Sequence, residues 1–491
     1  MFKNSRIVYI LNEGIVYIMK LKNIPSILFC CKLLIYFLIS DGLENVCPYE
    51  NDNFKYSFIE DSIESECVDF RKHVLNDSAF TRNRLWGFAD YVKHILFNQR
   101  KTIQNNIDTH LKNIEEGIDS YSKQSFSEQR ININPDVFKR ISINYLRNIG
   151  YINFQKNCGF FRTFYGFSLF AGDGSRFELP NKKLTLKEFG FKEDYDKKIN
   201  VVFSGVVDVL NNFMIDGLIG RRGVGEHTLI HKNLEKCRRL IVPEESIFIF
   251  DRGYNSIELM VRIIEMHSYF VIRLRKDSYI GERECMTSDD EIVQIELDKI
   301  RRKQFQNSYF KNKISVVNSL NLRIVNIKLE TGEIETLITN LPQETMSKEQ
   351  LKEIYDARWG IECAYKTLKQ RLQIQNYTAQ TEIGIQQDIY ATFLLYNIFC
   401  YSRIYLNLII NKNMRKKGKK DYYEVNHSHL ISRLKIDLFE TILDPSKVKN
   451  FINNLIKKCI PAPNKVKKPR QYERKKITPD RYVQTQYKPT F

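Results

Sequence analysis

Several features that would assign this 491-residue sequence to a simple class are missing from it. Its ten cysteines are scattered and contain no C-x-x-C pair, so neither a zinc module nor a disulfide scaffold is indicated, and a reducing intracellular compartment fits best. No thiol or third histidine accompanies the pairs His227/His231 and His427/His429, so we expect no metal role for them. Hydrophobic residues make up 43% of the chain, which excludes a disordered protein and allows two or three domains.

Long apolar runs are also scarce. Residues 27–39 are apolar except for Lys32, but thirteen residues are too few for a membrane span, which needs about 20. The segment has the length of a signal-peptide apolar region, yet no clear small-x-small cleavage pattern follows it. A targeting or membrane role, a buried helix and a gene start at Met19 stay open for residues 1–45. Residues 383–410 are mostly apolar too, but their polar side chains favour a core helix over a membrane anchor.

Basic residues outnumber acidic ones, and the excess lies near the carboxyl terminus. The net charge is +18, of which residues 412–420 carry +6 and residues 447–491 carry +11, so the remainder carries only +1. Prolines recur from Pro461 onward and disfavour a long helix there. We therefore expect an extended arm that binds DNA phosphates, with nuclear import as the rival interpretation of its short basic clusters.

The amino-terminal third changes from irregular to helical. Residues 46–75 are acidic and irregular, and we predict a linker there. From residue 80 to about 150 apolar residues recur at helical spacing, and Ser125, with Glu128 three residues later, is predicted to cap one helix. Such a helical domain suits either the binding of DNA ends or a packing role, and the pattern does not choose between them.

Strand-like segments begin after residue 160. In the run 164–180, an Asp-Gly pair at Asp173 is foremost a turn signal, which favours a structural role for that aspartate. Residues 199–220 predict two strands joined by a turn, with Asp208 and Asp216 as turn and edge residues and not as ligands. These segments together predict an antiparallel meander.

A second aspartate follows a buried strand directly. The apolar residues 246–250 end abruptly at Asp251, and a helical pattern follows. Its carboxylate either caps that helix or lies at the mouth of an α/β sheet, where ligands usually bind. After one more strand, residues 278–335 contain alternating runs that predict a small β subdomain before the chain returns to the main sheet.

One helix concentrates unusual chemistry on a single face. Residues 351–372 favour a helix of about five turns, in which Tyr355, Arg358, Glu362 and Lys369 fall within an arc of about 60°. One interpretation of this face is an ordinary solvent-exposed helix whose charged side chains form ion pairs. A lone glutamate between a planar and a point-charge phosphate binder is, however, what a metal-dependent phosphodiester site requires.

The spacing Y-x2-R-x3-E-x6-K resembles the YREK signature of DDE transposases of the insertion sequence 4 type. The resemblance extends over residues 80–410, because D-G-S at Asp173, D-R-G-Y at Asp251, a β insertion and T-N-L precede the signature in order. It implies an α/β fold with a ribonuclease-H-like mixed sheet flanked by helices. The implied segments are a leader and linker (1–75), a helical amino-terminal domain (76–160), a catalytic domain (161–410, with the insertion at 278–335) and a basic carboxyl-terminal region (411–491).

The resemblance also implies a reaction and its residues. Asp173, Asp251 and Glu362 would bind two Mg²⁺ ions, for which Mn²⁺ can substitute, and Asp173 would bridge them. Tyr355, Arg358 and Lys369 would hold DNA phosphates. The partners would be double-stranded transposon ends and target DNA, bound by a homodimer assembled on DNA inside the cell, in the nucleus or the nucleoid. The alternative is a domesticated DNA-binding protein that has kept the fold without transposing.

Overall fold

The computed structural model describes residues 6–12, 15–21, 57–82, 85–96, 102–114, 121–151, 160–192, 199–303, 305, 318–443 and 448–466. The chain divides into two units, Met1–Asn53 and Phe54–Phe491. In the first unit, strands β1 (Arg6–Asn12) and β2 (Ile15–Leu21) pair in antiparallel fashion. The apolar segment 27–39 and the tail after residue 466 lie outside the described residues.

The second unit begins with helices, namely α1 (Ser57–Cys67), α2 (Phe88–Leu96), α3 (Ile103–Ile114), α4 (Lys123–Arg130) and α5 (Asp136–Asn148). The first of these lies in the stretch predicted to be an irregular linker. Ile59 and Ile63, four residues apart, are buried on one face of α1, so burial of this face outweighs the acidic composition. The predicted cap at Ser125 is also displaced. The hydroxyl of Ser122 accepts from the Ser125 N–H at 3.1 Å, so α4 begins three residues earlier.

A mixed eight-stranded sheet forms the centre of this unit. Its strands are β3 (Ser168–Leu179), β4 (Ile199–Asp208), β5 (Met214–Ile219), β6 (Ser246–Phe250), β7 (Tyr269–Arg273), β8 (Asp290–Glu296), β9 (Ser319–Lys328) and β10 (Ile334–Thr339). The strand order is β5-β4-β3-β6-β7-β10-β9-β8. Strands β3, β6 and β7 run parallel, whereas every other neighbouring pair is antiparallel.

Two strand predictions are confirmed, and a third, which placed the strands of the insertion in a separate subdomain, is wrong. Strands β4 and β5 form the predicted hairpin, in which Asn212 has a φ of +64°. Strand β6 ends at Phe250, directly before Asp251. The insertion, however, is not a separate β subdomain, because β9 pairs with β10 and β8 with β9, so both strands extend the main sheet.

Short helices and one long helix cover and connect the strands. They are α6 (Lys183–Glu188), α7 (Glu226–Cys237), α8 (Ile257–Glu265), α9 (Ile280–Glu284), α10 (Lys299–Arg302), α11 (Lys348–Ala357), α12 (Trp359–Lys366) and α13 (Glu382–Lys416). Among the described residues, α13 is the one helix long and apolar enough to cross a membrane. Its most apolar window is 67% buried inside the protein, as the prediction of a core helix requires.

Buried polar contacts join the amino-terminal helices to the rest of the unit. The Arg130 guanidinium, at the end of α4, lies 2.9 Å from Gln387 Oε1 and 3.1 Å from Asp388 Oδ1 on α13. Lys139 on α5 forms an ion pair of 2.6 Å with Asp216 on the edge strand β5. Because all five side chains are buried, these contacts fix the helices against the sheet and its long helix.

The basic carboxyl-terminal region is structured at its beginning. Helix α14 (His427–Leu443) precedes α15 (Val448–Cys459), and a two-residue strand, β12 (Asn464–Lys465), pairs with β11 (Tyr423–Glu424). The predicted extended arm therefore does not begin at residue 447. Buried Phe451, Leu455 and Cys459 on one face of α15 explain the difference, since an apolar face gains more from packing than from extension.

Candidate active site

Asp173 lies inside strand β3, and the predicted turn at Asp-Gly is wrong. The strand continues for six residues beyond it, because residues 174–179 pair with β4 down to Leu179↔Ile199. Strand pairing supplies a hydrogen-bond partner at each step, which outweighs the local turn preference of Asp-Gly. The Asp173 carboxylate accepts from the N–H of Gly174 at 2.8 Å.

Asp251 comes next to Asp173 through the register of two parallel strands. Ala171 on β3 pairs with Ile249 on β6, so two residues further on, Asp173 and Asp251 are neighbours with side chains on the same face. Asp251 also accepts from the N–H of Gly253 at 2.8 Å, which begins a short 3₁₀ turn. One carboxylate oxygen therefore performs the capping role, and the residue lies at the carboxyl end of a buried strand as well.

The predicted five-turn helix is divided into three parts. Helix α11 begins at a capping box between Ser347 and Gln350, α12 follows it, and residues Thr367–Arg371 form a π-helical turn. Gly360 permits α12 to approach the sheet, because a Cβ there would lie 2.8 Å from the Cβ of Val209, just after β4. The helix thus packs closely against the strands that carry the aspartates.

Tyr365 joins this helix to strand β3 at Asp173. Its hydroxyl donates to the backbone carbonyl of Asp173 at 2.6 Å, and its ring packs on Phe203 of β4. Glu362 lies three residues earlier on the same helix, and Arg358 four residues before that. The Arg358 guanidinium donates to Glu362 at 2.9 Å and lies 6.0 Å from the centre of the Tyr355 ring. Tyr355, Arg358 and Glu362 therefore form one contiguous group.

Lys369 departs from that group. Its ammonium donates to the Ser175 hydroxyl at 2.7 Å and to the Arg176 carbonyl at 2.9 Å, two and three residues beyond Asp173 on β3. The π-helical turn adds residues to the helical repeat, so the predicted single face does not extend unchanged to Lys369. Burial lowers the pKa of Lys369 below its ordinary value.

The pKa of Asp173 depends on the charges of its neighbours, among them Asp251 and Arg358. Burial raises the pKa of Asp173 to about 6, and the carboxylates of Asp251 and Glu226 act in the same direction. The Gly174 N–H and the Arg358 guanidinium oppose the rise. Within the described ranges, no three His, Cys, Asp or Glu side chains converge as a metal-ligand group. The structure thus brings Asp173 and Asp251 together, whereas Glu362 is held by Arg358.

Four side chains at this place receive no role from the sequence pattern. Tyr365 was identifiable, since it follows Glu362 by three residues on the same helical face. Trp359, whose side chain remains 54% exposed, adjoins Arg358 and offers a flat surface on which a nucleobase can stack. Glu226 and Tyr254 come from α7 and the 3₁₀ turn, and no spacing within the chain signals their proximity to Asp173.

The raised pKa of Asp173 predicts that this residue destabilises the metal-free protein. Because the folded-state pKa lies above the ordinary 3.8, ionisation of Asp173 costs stability as the pH rises from about 4 through 6. Asp173→Asn should therefore raise the free energy of unfolding at pH 7.5 by on the order of 1–2 kcal/mol, and by much less at pH 4. Thermal unfolding in a chelator at both pH values measures this, with exposed Asp277→Asn as the control. An equal gain in the free energy of unfolding at both pH values would contradict the explanation that ionisation of Asp173 destabilises the protein.

Asp173 within β3 and Asp251 just after β6 lie close to a helix that carries arginine and glutamate. Carboxylates are the ligand type that metal-dependent chemistry on phosphodiesters uses. Residues 168–398 match the family described as Transposase DDE domain. This match covers just under half of the chain, and together with the relatives below it supports a DDE transposase of the insertion sequence 4 type.

Curated relatives match over the same part of the chain. The putative transposase for insertion sequence element IS4SA of Synechocystis sp. is 28% identical over 162 residues, which are 32% of this chain and 41% of that protein. Transposase InsG for insertion sequence element IS4 of Escherichia coli is 22% identical over 184 residues, or 36% of this chain and 40% of that protein. The transposase for insertion sequence element IS231C of Bacillus thuringiensis is 26% identical over 157 residues, 32% of this chain and 31% of that protein. The chain thus spans less than half of the length of these relatives.

A solved structure of piggyBac transposase in a synaptic complex with hairpin DNA aligns with 83% of this chain and 84% of its own chain. The sequence identity is 12% and the TM-score is 0.35, so this likeness supports no conclusion about the fold or the activity.

Proposed function

We propose that this protein is a transposase, an enzyme that cuts DNA at transposon ends and joins those ends to a target by metal-dependent hydrolysis and strand transfer. The observation that carries the proposal is the parallel register that sets Asp173 beside Asp251, on the sheet face covered by the helix of Arg358 and Glu362. The match to the Transposase DDE domain family and the names of the relatives support the reaction class.

The strand order supports a ribonuclease-H-like arrangement of the catalytic domain. Strands β3, β4 and β5 form an antiparallel meander, and β6 and β7 continue the sheet parallel to β3 on its other side. The first strand therefore lies in the middle of the sheet, where its Asp173 meets the end of the fourth strand. A helix from later in the chain then crosses this point, which is the topology that the resemblance implies.

The donor set fits hard divalent cations. Carboxylate oxygens are the ligands that Mg²⁺ prefers, and two adjacent, half-buried acids repel each other unless a cation lies near them. We propose that Asp173, Asp251 and Glu362 hold two Mg²⁺ ions, for which Mn²⁺ can substitute. When bound, the ions would activate the attacking oxygen and stabilise the leaving oxygen of the phosphodiester.

The helix supplies the contacts to DNA phosphate, in accord with the YREK signature. Arg358 pairs with Glu362 through one contact in the protein alone, and a phosphate can accept two hydrogen bonds from the same guanidinium. Lys369 provides a second positive charge two residues along β3 from Asp173. Tyr355, whose ring lies beside Arg358, would limit the movement of that side chain. We propose that these three residues position the scissile strand against the aspartates.

Arg358→Ala and Lys369→Ala are expected to slow strand cleavage and transfer by about 10²-fold each, because both remove a contact that orients the reacting phosphate. General affinity for DNA should change little, since two phosphate contacts are few among many. Single-turnover cleavage and equilibrium binding of the same end DNA measure the two effects separately.

Lys366→Ala is the matched control, because it removes an exposed cation from the same helix three residues before Lys369. It should cleave at the wild-type rate. If the Arg358 and Lys369 variants instead lost affinity for all DNAs and cleaved whatever remained bound normally, a positioning role would be excluded.

The proposed partners are double-stranded transposon ends and target DNA, bound by a homodimer that assembles on the DNA. Work on DNA would take place inside the cell, in the nucleus of a eukaryote or the nucleoid of a bacterium. The alternative of a domesticated protein without transposition gains no support from the relatives, which are named as transposases. Detection of terminal inverted repeats beside the gene would test whether the protein serves a mobile element.

A further inference from the structure

A further carboxylate, Glu226, lies against the strand that carries Asp173. Glu226 is the first residue of α7, and a Cβ on Gly174 would lie 2.3 Å from its carboxyl carbon and 2.5 Å from Oε1. Any side chain at position 174 would therefore require the Glu226 carboxyl group to move away from its present place. The same Gly174 donates its N–H to Asp173, so the two carboxylates flank one peptide unit.

The first turn of α7 is also attached to the segment that carries Asp251. The Nε2 atom of His227 lies 3.0 Å from the carbonyl oxygen of Gly253, and the His227 ring packs on the ring of Tyr254 at 5.4 Å. This contact fixes the position of Glu226 relative to Asp251 as well as to Asp173. Asp173 on β3, Asp251 just after β6 and Glu226 on α7 therefore act on one another through their charges, although among the described residues the three do not converge as direct ligands of one ion.

The hydroxyl of Tyr254 provides an independent sign of a ligand at this place. Tyr254 is only 2% exposed, and within the part of the chain that the structure describes its hydroxyl has no hydrogen-bond partner. Burial raises the pKa of this phenol, and the charges of Asp173, Glu226 and Asp251 act in the same direction, so its hydroxyl lies in the field of all three acids. A buried hydroxyl without a partner is costly, which indicates that it serves a group that arrives with the substrate or cofactor.

We propose that Glu226 and Tyr254 belong to the divalent-cation site of the proposed transposase. Glu226 supplies a further carboxylate toward the hydration shell of the cation, and the Tyr254 hydroxyl hydrogen-bonds within that shell or to a neighbouring carboxylate. Mg²⁺ keeps several of its waters when it binds protein, so groups beyond the direct ligands contribute to its affinity. This inference rests on the proposed function, because it assumes that Asp173 and Asp251 bind the cation.

The experiment measures Mn²⁺ binding to the full-length, DNA-free protein by titration with electron paramagnetic resonance. Glu226→Gln and Tyr254→Phe should each weaken Mn²⁺ binding by about 10-fold, the usual effect of removing a supporting group around a metal. Glu235→Gln, an exposed acid further along α7, is the matched control and should bind as the wild type does. Asp173→Asn is the benchmark and should lose Mn²⁺ binding more severely.

Two results distinguish a failure of this inference from a failure of the proposed metal site. If Asp173→Asn loses Mn²⁺ while Glu226→Gln and Tyr254→Phe bind normally, this inference is overturned and the proposed function stands. If Asp173→Asn also binds normally, the metal site itself is wrong.

Thermal unfolding without metal excludes a merely structural explanation. Because the Tyr254 hydroxyl has no partner in the described residues, Tyr254→Phe should unfold at an equal or higher temperature than the wild type. A Glu226→Gln variant that unfolds at a lower temperature yet binds Mn²⁺ normally would reduce Glu226 to a favourable charge at a helix start, and would overturn the inference.

Discussion

Asp173→Asn, Asp251→Asn and Glu362→Gln are each expected to lower the rate of strand cleavage by about 10³-fold or more, with little loss of binding to transposon-end DNA. Each change keeps the size of the side chain and removes one negative charge, so it weakens metal binding without removing a contact to DNA. Metal ions contribute several kcal/mol to stabilising the transition-state charge, and each 1.4 kcal/mol corresponds to about tenfold in rate. Single-turnover cleavage of a labelled end in Mg²⁺, beside an equilibrium binding assay, measures both quantities.

The three substitutions need a control that removes a carboxylate charge from the same surface. Asp356→Asn serves, because Asp356 lies on α11 between Tyr355 and Arg358 in sequence but is exposed and pairs with Lys352 at 3.0 Å. It should cleave at the wild-type rate. A variant of Asp173, Asp251 or Glu362 that cleaves at nearly the wild-type rate would remove that residue from the proposed site. Glu362→Gln tests the proposal most directly, since this carboxylate pairs with Arg358 in the protein alone.

Arg130→Met is expected to lower the free energy of unfolding by about 3–5 kcal/mol, the largest stability effect that the structure predicts. The guanidinium is 2% exposed and contacts Gln387, Asp388 and Thr378, so its removal leaves a buried carboxylate without its positive partner. The contact also joins α4 to α13, which means that the loss affects the packing of the amino-terminal helices. Urea-induced unfolding of the full chain, followed by circular dichroism, measures the change.

A second arginine, which also pairs with an acid on α13, provides the comparison. Arg221 makes an ion pair with Glu382 at the start of that helix, but its side chain is 64% exposed, so Arg221→Met should cost less than about 1 kcal/mol. The double variant Arg130→Met with Asp388→Asn should recover part of the loss, because it removes the stranded charge as well. Equal effects of the Arg130 and Arg221 variants would contradict the importance of burial.

Local patterns predicted the elements that carry the site. The abrupt end of an apolar run at Asp251, the hairpin 199–220 and a helix with Arg358 and Glu362 four residues apart all follow from periodicity and composition. In each of these elements, the burial of the apolar residues agrees with the local propensity of the segment. Where local preference and final packing agree in this way, the secondary structure of a segment can be predicted without knowing the segments that pack against it.

Predictions failed where a distant segment supplied the deciding partner. The Asp-Gly pair at Asp173 has a turn preference, but β4 pairs with the strand on both sides of it. The acidic stretch around Ser57–Cys67 has the composition of a linker because its apolar residues are few, yet Ile59 and Ile63 among them are buried. The alternating pattern of the insertion predicts a separate subdomain, whereas β9 pairs with β10 of the main sheet.

The sequence by itself determined the chemical groups, namely which carboxylates, guanidinium and ammonium groups occur at motif spacings and where strands and helices begin. Only the tertiary structure decided which of them meet. Asp173 and Asp251 are separated by 77 intervening residues, and the parallel register of β3 and β6 alone makes them neighbours. Glu226, which belongs to none of the motifs, joins them through α7, and Tyr254, the last residue of D-R-G-Y, joins them through a short turn. Side-chain periodicity is a property of one segment, whereas proximity across strands depends on pairing between segments, and that is decided by the packing of the whole core.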